Sequence, residues 1–304
     1  MEFTVALGTP FSLDYTLESG QLFRWERRGE WWYGVVSGAV LKVKQEGDAL
    51  RCASSSDSID SVFLTSYFRL GEDLGHVLAT IAKDDVINRA IQKFYGLRLA
   101  RQDSWECLAS FVLATNSNIP RIKKMVSAVC AKYGASIEFE GEVYHSFPTP
   151  GALSGAAASD LVSCGLGYRA PFLKKVAKTV VEGRVDFSAL SSLGYEESHK
   201  LLLAELFGEK LLLGVGPKVA DCVLLYSFGK DESFPIDVWI ARVLSKWYPR
   251  LLGPTLSRKF KADKKAKLSE RDYAMVSERA RSHFGRYAGY AQQYLFAAAR
   301  EEVV

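Results

Sequence analysis

The most informative stretch of this chain is LLGVGPKVADC, at positions 212–222. Gly214 and Gly216 predict a tight turn between two apolar helices, because glycine adopts positive φ without steric cost. Pro217 suits the first position of the second helix, where its missing N–H needs no partner. The unpaired N–H groups at that helix start predict an anion site of the kind that suits a DNA phosphate. We therefore expect a helix–hairpin–helix unit over about residues 205–228.

A second loop has the sequence FPIDVW, at positions 234–239. Asp237 has the position of an N-cap before another amphipathic helix. Together with Lys218, in the first turn after the hairpin, this carboxylate indicates chemistry on a nucleic acid. Each feature also has a plainer interpretation. Such hairpins often only grip DNA, first-turn lysines are usually solvated, and an N-cap is usually only a cap.

The composition is that of an ordinary globular protein. The 304 residues allow one large or two medium domains, with 48% hydrophobic and 24% charged residues. The net charge of +4 permits a polyanionic partner without requiring one. One basic run, in which Asp263 is the single acidic residue, contains Arg258, Lys259, Lys261, Lys264, Lys265 and Lys267. This run is either a solvated loop or a contact for backbone phosphates.

The cysteines and histidines indicate which cofactors and which cellular compartment to expect. The five cysteines have no paired spacing, which argues against a disulfide framework and favours a reducing compartment. Without a Cys-x-x-Cys motif or an iron–sulfur type of cluster, and with four scattered histidines, we expect no metal. No apolar run approaches the roughly 20 residues of a membrane span, and we expect no secretion signal. We expect a monomer without a cofactor, in the cytoplasm or nucleoid, or in the nucleus of a eukaryotic cell.

The residue pattern predicts an α+β fold, with a small N-terminal antiparallel sheet domain followed by a mostly helical domain. Roughly the first 55 residues have the alternation and the β-branched and aromatic content of a sheet. The strands predicted there are Phe3–Leu7, Trp31–Val36, Ala39–Lys44 and Leu50–Ala53. From Ser58 to about Leu99 the periodicity becomes helical, with helices that pack on the sheet or lead onward from it.

The second domain is predicted to be almost wholly helical. We place the boundary after residue 100, which gives domains 1–100 and 101–304. The predicted helices are Ala158–Cys164, Ala170–Glu182, Glu196–Phe207, Pro217–Phe228, Asp237–Trp247, Glu270–Phe284 and Tyr287–Arg300.

Four further motifs accompany the hairpin and the aspartate: SGQLFRW at 19–25, NSNIPRI at 116–122, GLGYRA at 165–170 and YAGYAQQYLF at 287–296. With them, the chain resembles the 8-oxoguanine DNA glycosylase/AP lyase family of the helix–hairpin–helix DNA glycosylase superfamily over nearly its whole length. The resemblance implies a base excision repair enzyme that acts on double-stranded DNA containing oxidised guanine. Such an enzyme flips out 8-oxoguanine opposite cytosine, excises it and cleaves the strand by β-elimination.

The resemblance implies that Lys218 attacks the sugar C1′ and forms a Schiff base. The amine must be neutral to react, which a helix N-terminus and desolvation both favour. Asp237 would stabilise the oxocarbenium-like charge on the sugar or help to deprotonate the lysine. Cys222, one helical turn after Lys218, would line the base pocket or be a small core thiol. Gly214 and Gly216 would hold a DNA phosphate, directly or through a monovalent cation.

The resemblance also assigns contacts to the extruded base. The Gly20 carbonyl would accept a hydrogen bond from N7–H, the hydrogen that distinguishes 8-oxoguanine from guanine. Gln292 would bind the Watson–Crick edge, and Phe296 would stack on the base. These two residues stand four apart on one face of the last helix, where plain helix packing is the alternative.

Other residues would contact the DNA that the base has left. By resemblance, Asn116 fills the vacated space, Arg121 and Arg169 bind the orphaned cytosine, and Tyr168 wedges into the stack. An aromatic ring replaces lost stacking, and a guanidinium offers paired donors to base acceptors. Without the resemblance, the Tyr168–Arg169 pair in its glycine loop would be ordinary exposed surface.

Two departures from the best-known eukaryotic members concern substrate choice. Trp239 replaces a histidine, and Ala299 replaces an aspartate. Either change would relax the choice of substrate or the strictness for cytosine opposite the lesion. An endonuclease III type of enzyme for oxidised pyrimidines is one alternative, disfavoured by the missing cysteine cluster and the sheet domain. A non-catalytic DNA-binding module is another, disfavoured by the presence of Lys218 with Asp237.

Overall fold

The computed structural model describes residues 1–206, 209–263 and 266–304. Its N-terminal part contains a five-stranded antiparallel sheet in the order β1-β5-β4-β3-β2. The strands are β1 (Glu2–Ala6), β2 (Trp25–Arg28), β3 (Trp31–Val36), β4 (Ala39–Glu46) and β5 (Ala49–Ser54). The predicted strands are confirmed with small shifts at their ends. The expectation of sheet alone was incomplete, because β2 was missed and helix α1 (Leu13–Glu18) follows the N-cap Ser12, whose Oγ accepts the Tyr15 N–H.

The alternation along β4 determines which face of the sheet is buried. Leu41 and Val43 are buried, while Lys42 and Lys44 remain partly exposed, as predicted. This core includes side chains of α1 and α2 (Ser61–Tyr67). Helices α3 (Leu74–Ile81) and α4 (Asp85–Lys93) instead contribute to the larger core of the helical part. The helices expected after Ser58 therefore divide between two cores, and the domain boundary at residue 100 stays a prediction.

The remainder of the chain is mostly helical. Its helices are α5 (Ser104–Leu113), α6 (Ile119–Tyr133), α7 (Pro150–Gly155), α8 (Ala158–Ser163), α9 (Ala170–Val181), α10 (Phe187–Ser192), α11 (Tyr195–Leu202), α12 (Pro217–Tyr226), α13 (Val238–Trp247), α14 (Pro249–Leu252), α15 (Pro254–Ala262), α16 (Glu270–Phe284) and α17 (Ala288–Arg300). The predicted helices are confirmed apart from Glu196–Phe207. Within the described ranges, no helix combines the length and apolar character needed to cross a membrane.

A hairpin that was not predicted interrupts the helical part. Strands β6 (Ser136–Phe139) and β7 (Glu142–His145) pair antiparallel. Both residues of the connecting turn have positive φ, 52° at Glu140 and 79° at Gly141, as a type I′ turn requires. Lys42 of β4 donates from Nζ to Glu140 Oε1 at 2.8 Å, so the hairpin is tied to the N-terminal sheet.

The helix predicted over Glu196–Phe207 was wrong at its C-terminal end. Helix α11 stops at Leu202, and the short strands β8 (Glu205–Leu206) and β9 (Glu209–Lys210) pair after it; Phe207 itself lies outside the described residues. The Leu211 N–H donates to the Ala204 carbonyl at 2.9 Å, so these backbone groups bond across the ladder instead of along a helix. The residues that lead into Gly214 form a turn, so the helix that precedes the hairpin is α11, which ends at Leu202, before the expected start of the unit at about residue 205.

The segment around Gly20 is fixed by two glutamines. Gln21 Nε2 donates to the Arg98 carbonyl, and its Oε1 accepts the Ala100 N–H, both at 2.8 Å. Gln293 of α17 donates from Nε2 to the Ser19 carbonyl at 2.9 Å. The residues on both sides of Gly20 are thus held against the backbone of residues 98–100 and against α17.

Candidate active site

A cavity of about 700 Å³ is lined by segments from both parts of the protein. They include the Gly20 loop, the junction of α5 and α6, the hairpin before α12, the Asp237 loop, the segment 266–273 and the C-terminal part of α17. The predicted site residues on its wall are Gly20, Asn116, Gly214, Gly216, Lys218, Asp237 and Phe296. The predicted residues that lie off this wall are Arg121, Tyr168, Arg169, Cys222 and Gln292.

The hairpin places Lys218 in the first turn of α12, as predicted. Gly214 has φ +84°, and a Cβ there would lie 2.9 Å from Phe172 Cδ2, so both conformation and space require glycine. Gly216 has φ −108° and ψ −178°, and the expected positive φ was wrong there. As the N-cap of α12, Gly216 offers no side-chain acceptor to the first-turn N–H groups. These groups remain available to an anion.

Asp237 is the N-cap of α13, as predicted. Its Oδ1 accepts the N–H groups of Trp239 at 3.0 Å and Ile240 at 2.8 Å. Burial raises the pKa of the Asp237 carboxyl, and the backbone N–H of Ile240 and the charge of Lys218 oppose that rise only in part. A carboxyl with a raised pKa on a cavity wall is typical of a functional site. Lys218 Nζ lies 5.1 Å from the centre of the Phe111 ring.

Gly20 brings the backbone close to the cavity residues. Its φ is +86°, and a Cβ there would lie 2.8 Å from Ile119 Cδ1 and 3.1 Å from Phe296 Cε1. Both the conformation and the space at this position therefore require glycine, and the approach of its backbone to the base stays a prediction. The guanidinium of Arg300 lies 5.7 Å from the centre of the Phe296 ring, and its Nη1 donates to the Glu18 carbonyl at 3.0 Å.

Many residues of this wall had no predicted role. Phe23, Phe111, Tyr273 and Arg300 are four of them. The spacing of Arg300, four residues after Phe296 on α17, was a usable signal for its contact with that ring. The others come from distant helices and loops, and no local pattern indicates them.

Cys222 and Gln292 lie behind the wall. Cys222 is 2% exposed, and burial raises the pKa of its thiol to about 11 despite the nearby Lys218. Gln292 is 4% exposed, and its Oε1 has no hydrogen-bond partner among the described residues. An unpaired buried acceptor costs about 1–3 kcal/mol, which a functional role would explain.

Arg169 does not form the exposed pair with Tyr168 that the sequence suggested. Tyr168 is 51% exposed, whereas Arg169 is only 1% exposed. Arg169 donates from Nε to the Thr115 carbonyl at 2.8 Å and from Nη2 to the Asn116 carbonyl at 2.9 Å. Asn116 has φ +49°, and its Nδ2 lies 3.3 Å from the Tyr168 hydroxyl. The two motifs therefore form one interlocked loop pair, with Arg169 as its internal support.

The remaining basic residues lie around this region. Arg121 is exposed in the first turn of α6, and its backbone N–H donates to the N-cap Asn118 at 3.0 Å. In the basic run, Lys267 lines the cavity, and its carbonyl accepts from Lys259 Nζ at 2.8 Å. Lys264 and Lys265 lie outside the described residues. The part of the chain that the structure describes contains no cluster of three potential metal ligands.

The fold and this wall define a DNA glycosylase of the helix–hairpin–helix class. The model of HhH-GPD superfamily base excision DNA repair proteins matches residues 109–255, and that of the 8-oxoguanine DNA glycosylase N-terminal domain matches residues 5–108. The chain belongs to the 8-oxoguanine DNA glycosylase (N-glycosylase/DNA lyase) family.

Individual relatives support this assignment over most of the chain. A probable N-glycosylase/DNA lyase of Methanothermobacter thermautotrophicus is 33% identical over 73% of this chain and 69% of its own length. The N-glycosylase/DNA lyase of Saccharomyces cerevisiae is 30% identical over 92% of this chain and 81% of its own. The Clostridium acetobutylicum 8-oxoguanine glycosylase/lyase, solved with double-stranded DNA containing cytosine opposite 8-oxoguanine, is 28% identical, with a TM-score of 0.81. That match covers 97% of this chain and 93% of the other.

Proposed function

We propose that this protein is a bifunctional DNA glycosylase/AP lyase that excises 8-oxoguanine opposite cytosine from double-stranded DNA. The observation that carries the proposal is the shared wall of Lys218, Asp237, Gly20 and Phe296. It combines an amine, a carboxyl, a closely approaching backbone and an aromatic face around a space that can hold a base. Family membership supports the substrate, and the Clostridium relative was solved on DNA with the same base pair.

The chemistry follows from the amine and the carboxyl. Lys218 Nζ forms a bond to C1′ while the C1′–N9 bond breaks, and the electron pair and a proton go to the departing base. Asp237 offsets the positive charge that develops on the sugar. The C1′–O4′ bond then opens as the nitrogen forms an imine. Loss of a C2′ proton breaks the C3′–O3′ bond and releases the 3′ phosphate.

Recognition of the base is assigned to the residues around Gly20. Its carbonyl accepts N7–H of 8-oxoguanine, a hydrogen that guanine lacks, and Phe296 stacks on the base. Gln292 offers to the Watson–Crick edge its Oε1, which accepts no hydrogen bond from the residues that the structure describes. Cys222 packs behind the pocket, one turn from Lys218.

Recognition of the opposite strand is assigned to the interlocked loops. Asn116 fills the vacated space, the exposed Tyr168 wedges into the stack, and the exposed Arg121 contacts the orphaned cytosine. Arg169 contacts the same cytosine only after it releases the carbonyls of Thr115 and Asn116. Binding of DNA is therefore coupled to a rearrangement of these loops.

The hairpin of Gly214 and Gly216 holds a backbone phosphate through the free N–H groups of α12, directly or through a monovalent cation. No other cofactor enters the proposed chemistry. A single chain supplies every assigned residue, which supports a monomer. We also assign the enzyme to the compartment of the genome, the nucleoid or, in a eukaryotic cell, the nucleus.

Strand cleavage on defined duplexes tests the proposal. The substrates carry 8-oxoguanine opposite each of the four bases, with an oxidised-pyrimidine duplex beside them. We expect cleavage of the 8-oxoguanine duplexes, fastest opposite cytosine. Cleavage of the oxidised pyrimidine alone would indicate the endonuclease III type. Base release without cleavage would indicate a monofunctional glycosylase, and binding without either would indicate a DNA-binding module.

A further inference from the structure

Asp221 is a fully buried carboxylate that the proposed chemistry does not use. It lies on α12, three residues after Lys218, and its exposed fraction is 0%. Two phenols donate to it at 2.6 Å, Tyr195 of α11 to Oδ1 and Tyr273 of α16 to Oδ2. Burying a carboxylate is unfavourable unless hydrogen bonds satisfy it, and a buried network fixes the parts that it joins. Asp221 therefore connects α12 rigidly to two other helices.

One of the two phenols has a second partner. The Tyr273 hydroxyl accepts the backbone N–H of Ile236 at 3.1 Å. Ile236 is 6% exposed and immediately precedes Asp237 in the chain. An unbroken series of hydrogen bonds thus runs from the helix of Lys218, through Asp221 and Tyr273, to the backbone of the Asp237 loop. Tyr195 bonds the same carboxylate at Oδ1, the oxygen that Tyr273 leaves free of its own bond.

From this connection we infer that Tyr273 and Asp221 are positioning residues, which fix the Asp237 loop relative to Lys218. The inference rests on the proposed function, because it concerns the geometry of that reaction. The cap bonds of Asp237 go to the first turn of α13, so they do not fix its position relative to α12. Tyr273 fixes that position, because it bonds both Asp221 of α12 and the backbone next to Asp237. Small displacements of a catalytic group cost about 10- to 100-fold in rate, so the connection affects excision strongly.

The variant Tyr273→Phe tests the inference. It keeps the ring on the cavity wall but removes both the donor to Asp221 and the acceptor of the Ile236 N–H. The matched control is Tyr195→Phe, which removes a hydrogen bond of the same length to the same carboxylate without touching the Asp237 loop. Thermal unfolding of each variant measures how much stability the loss of its hydrogen bonds costs.

Three measurements distinguish a positioning role from a merely structural one. They are the single-turnover rate of 8-oxoguanine excision, the rate of borohydride trapping on a preformed abasic site, and the affinity for the lesion duplex. For Tyr273→Phe we expect excision slowed by about 10-fold or more, with trapping on the abasic site reduced much less and affinity nearly kept. For Tyr195→Phe we expect a smaller thermal loss, because it removes one of these hydrogen bonds instead of two, and excision within about threefold of wild type. The abasic site needs no base departure, so a uniform structural defect would lower excision and trapping together.

Equal excision rates for Tyr273→Phe and Tyr195→Phe would overturn the inference, as would an equal loss of excision and trapping in Tyr273→Phe. Both outcomes require a wild-type protein that excises 8-oxoguanine. A wild type without excision would instead contradict the proposed function, so the two failures are distinguishable.

Discussion

Substitution of Gly20 by alanine tests the base-recognition contact that the structure defines most closely. A Cβ at this position would lie 2.8 Å from Ile119 Cδ1 and 3.1 Å from Phe296 Cε1. Both atoms end flexible side chains, so they can shift, but the shift pushes Phe296 out of its position on the cavity wall. The φ of +86° adds backbone strain, since alanine tolerates it poorly.

The two effects have different sizes and different readouts. The backbone strain amounts to about 1–2 kcal/mol, which lowers the Tm of a protein of this size by a few degrees. Relief of the strain moves the Gly20 carbonyl, and loss of its hydrogen bond to N7–H costs about 1–3 kcal/mol in the transition state. Since about 1.4 kcal/mol of activation free energy corresponds to a tenfold change in rate, the rate of excision falls by about 5- to 150-fold.

The assay compares single-turnover excision of 8-oxoguanine with strand cleavage at a preformed abasic site. Gly38→Ala is the matched control, because Gly38 has φ +80° but a Cβ there meets no atom within 4 Å. We expect both variants to lose similar stability, but only Gly20→Ala to lose excision, with abasic-site cleavage kept. Equal excision by the two variants would refute the assignment of the Gly20 backbone to base recognition.

Three further predictions concern single side chains. Burial raises the pKa of Asp237, so the folded protein holds the proton of this carboxyl more tightly than the unfolded chain does. The free energy of unfolding therefore falls as the pH rises from 3.8, the ordinary pKa of aspartate, through the raised pKa of the folded protein. Asp237→Asn, which keeps an N-cap, should unfold in urea at pH 7 no more easily than wild type while excision falls by about 100-fold; a normal excision rate would reduce Asp237 to a cap. Arg169→Ala should lower the free energy of unfolding by about 2–3 kcal/mol and weaken the preference for cytosine, measured as rates opposite the four bases. An unchanged preference would leave Arg169 only its structural role. Gln292→Leu removes a buried oxygen that has no partner in the described part of the chain, so it should not lower stability, whereas loss of the contact with the base should slow excision. An unaltered rate would exclude Gln292 from base recognition.

Local patterns predicted most of the helices and strands. The alternation in β4, the proline at the start of α12 and the aspartate before α13 each determine structure within a few residues, so sequence alone located them. The hairpin of β6 and β7 was missed because its turn is Glu-Gly instead of a strong turn pair such as Asn-Gly, and because contact with Lys42 of β4 supports it. That contact joins residues 98 positions apart.

The motifs predicted the residues of the candidate active site, but they did not predict the buried hydrogen bonds that hold these residues in place. Gly20, Lys218, Asp237 and Phe296 line one cavity, and the roles that the resemblance implied for them stay predictions. The burial of Arg169 depends on carbonyl groups that are distant in sequence, and no pattern around Tyr168 indicates it. Asp221 and its two tyrosines likewise meet only through packing of three helices.

The central claim is that Lys218 is the nucleophile. The most direct measurement is borohydride reduction of the enzyme on a duplex with 8-oxoguanine opposite cytosine, followed by mass spectrometry of the adduct peptide. We predict one covalent adduct at Lys218, which is absent from Lys218→Gln although that variant still binds the duplex. An adduct at another residue, or undiminished trapping by Lys218→Gln, would contradict the account.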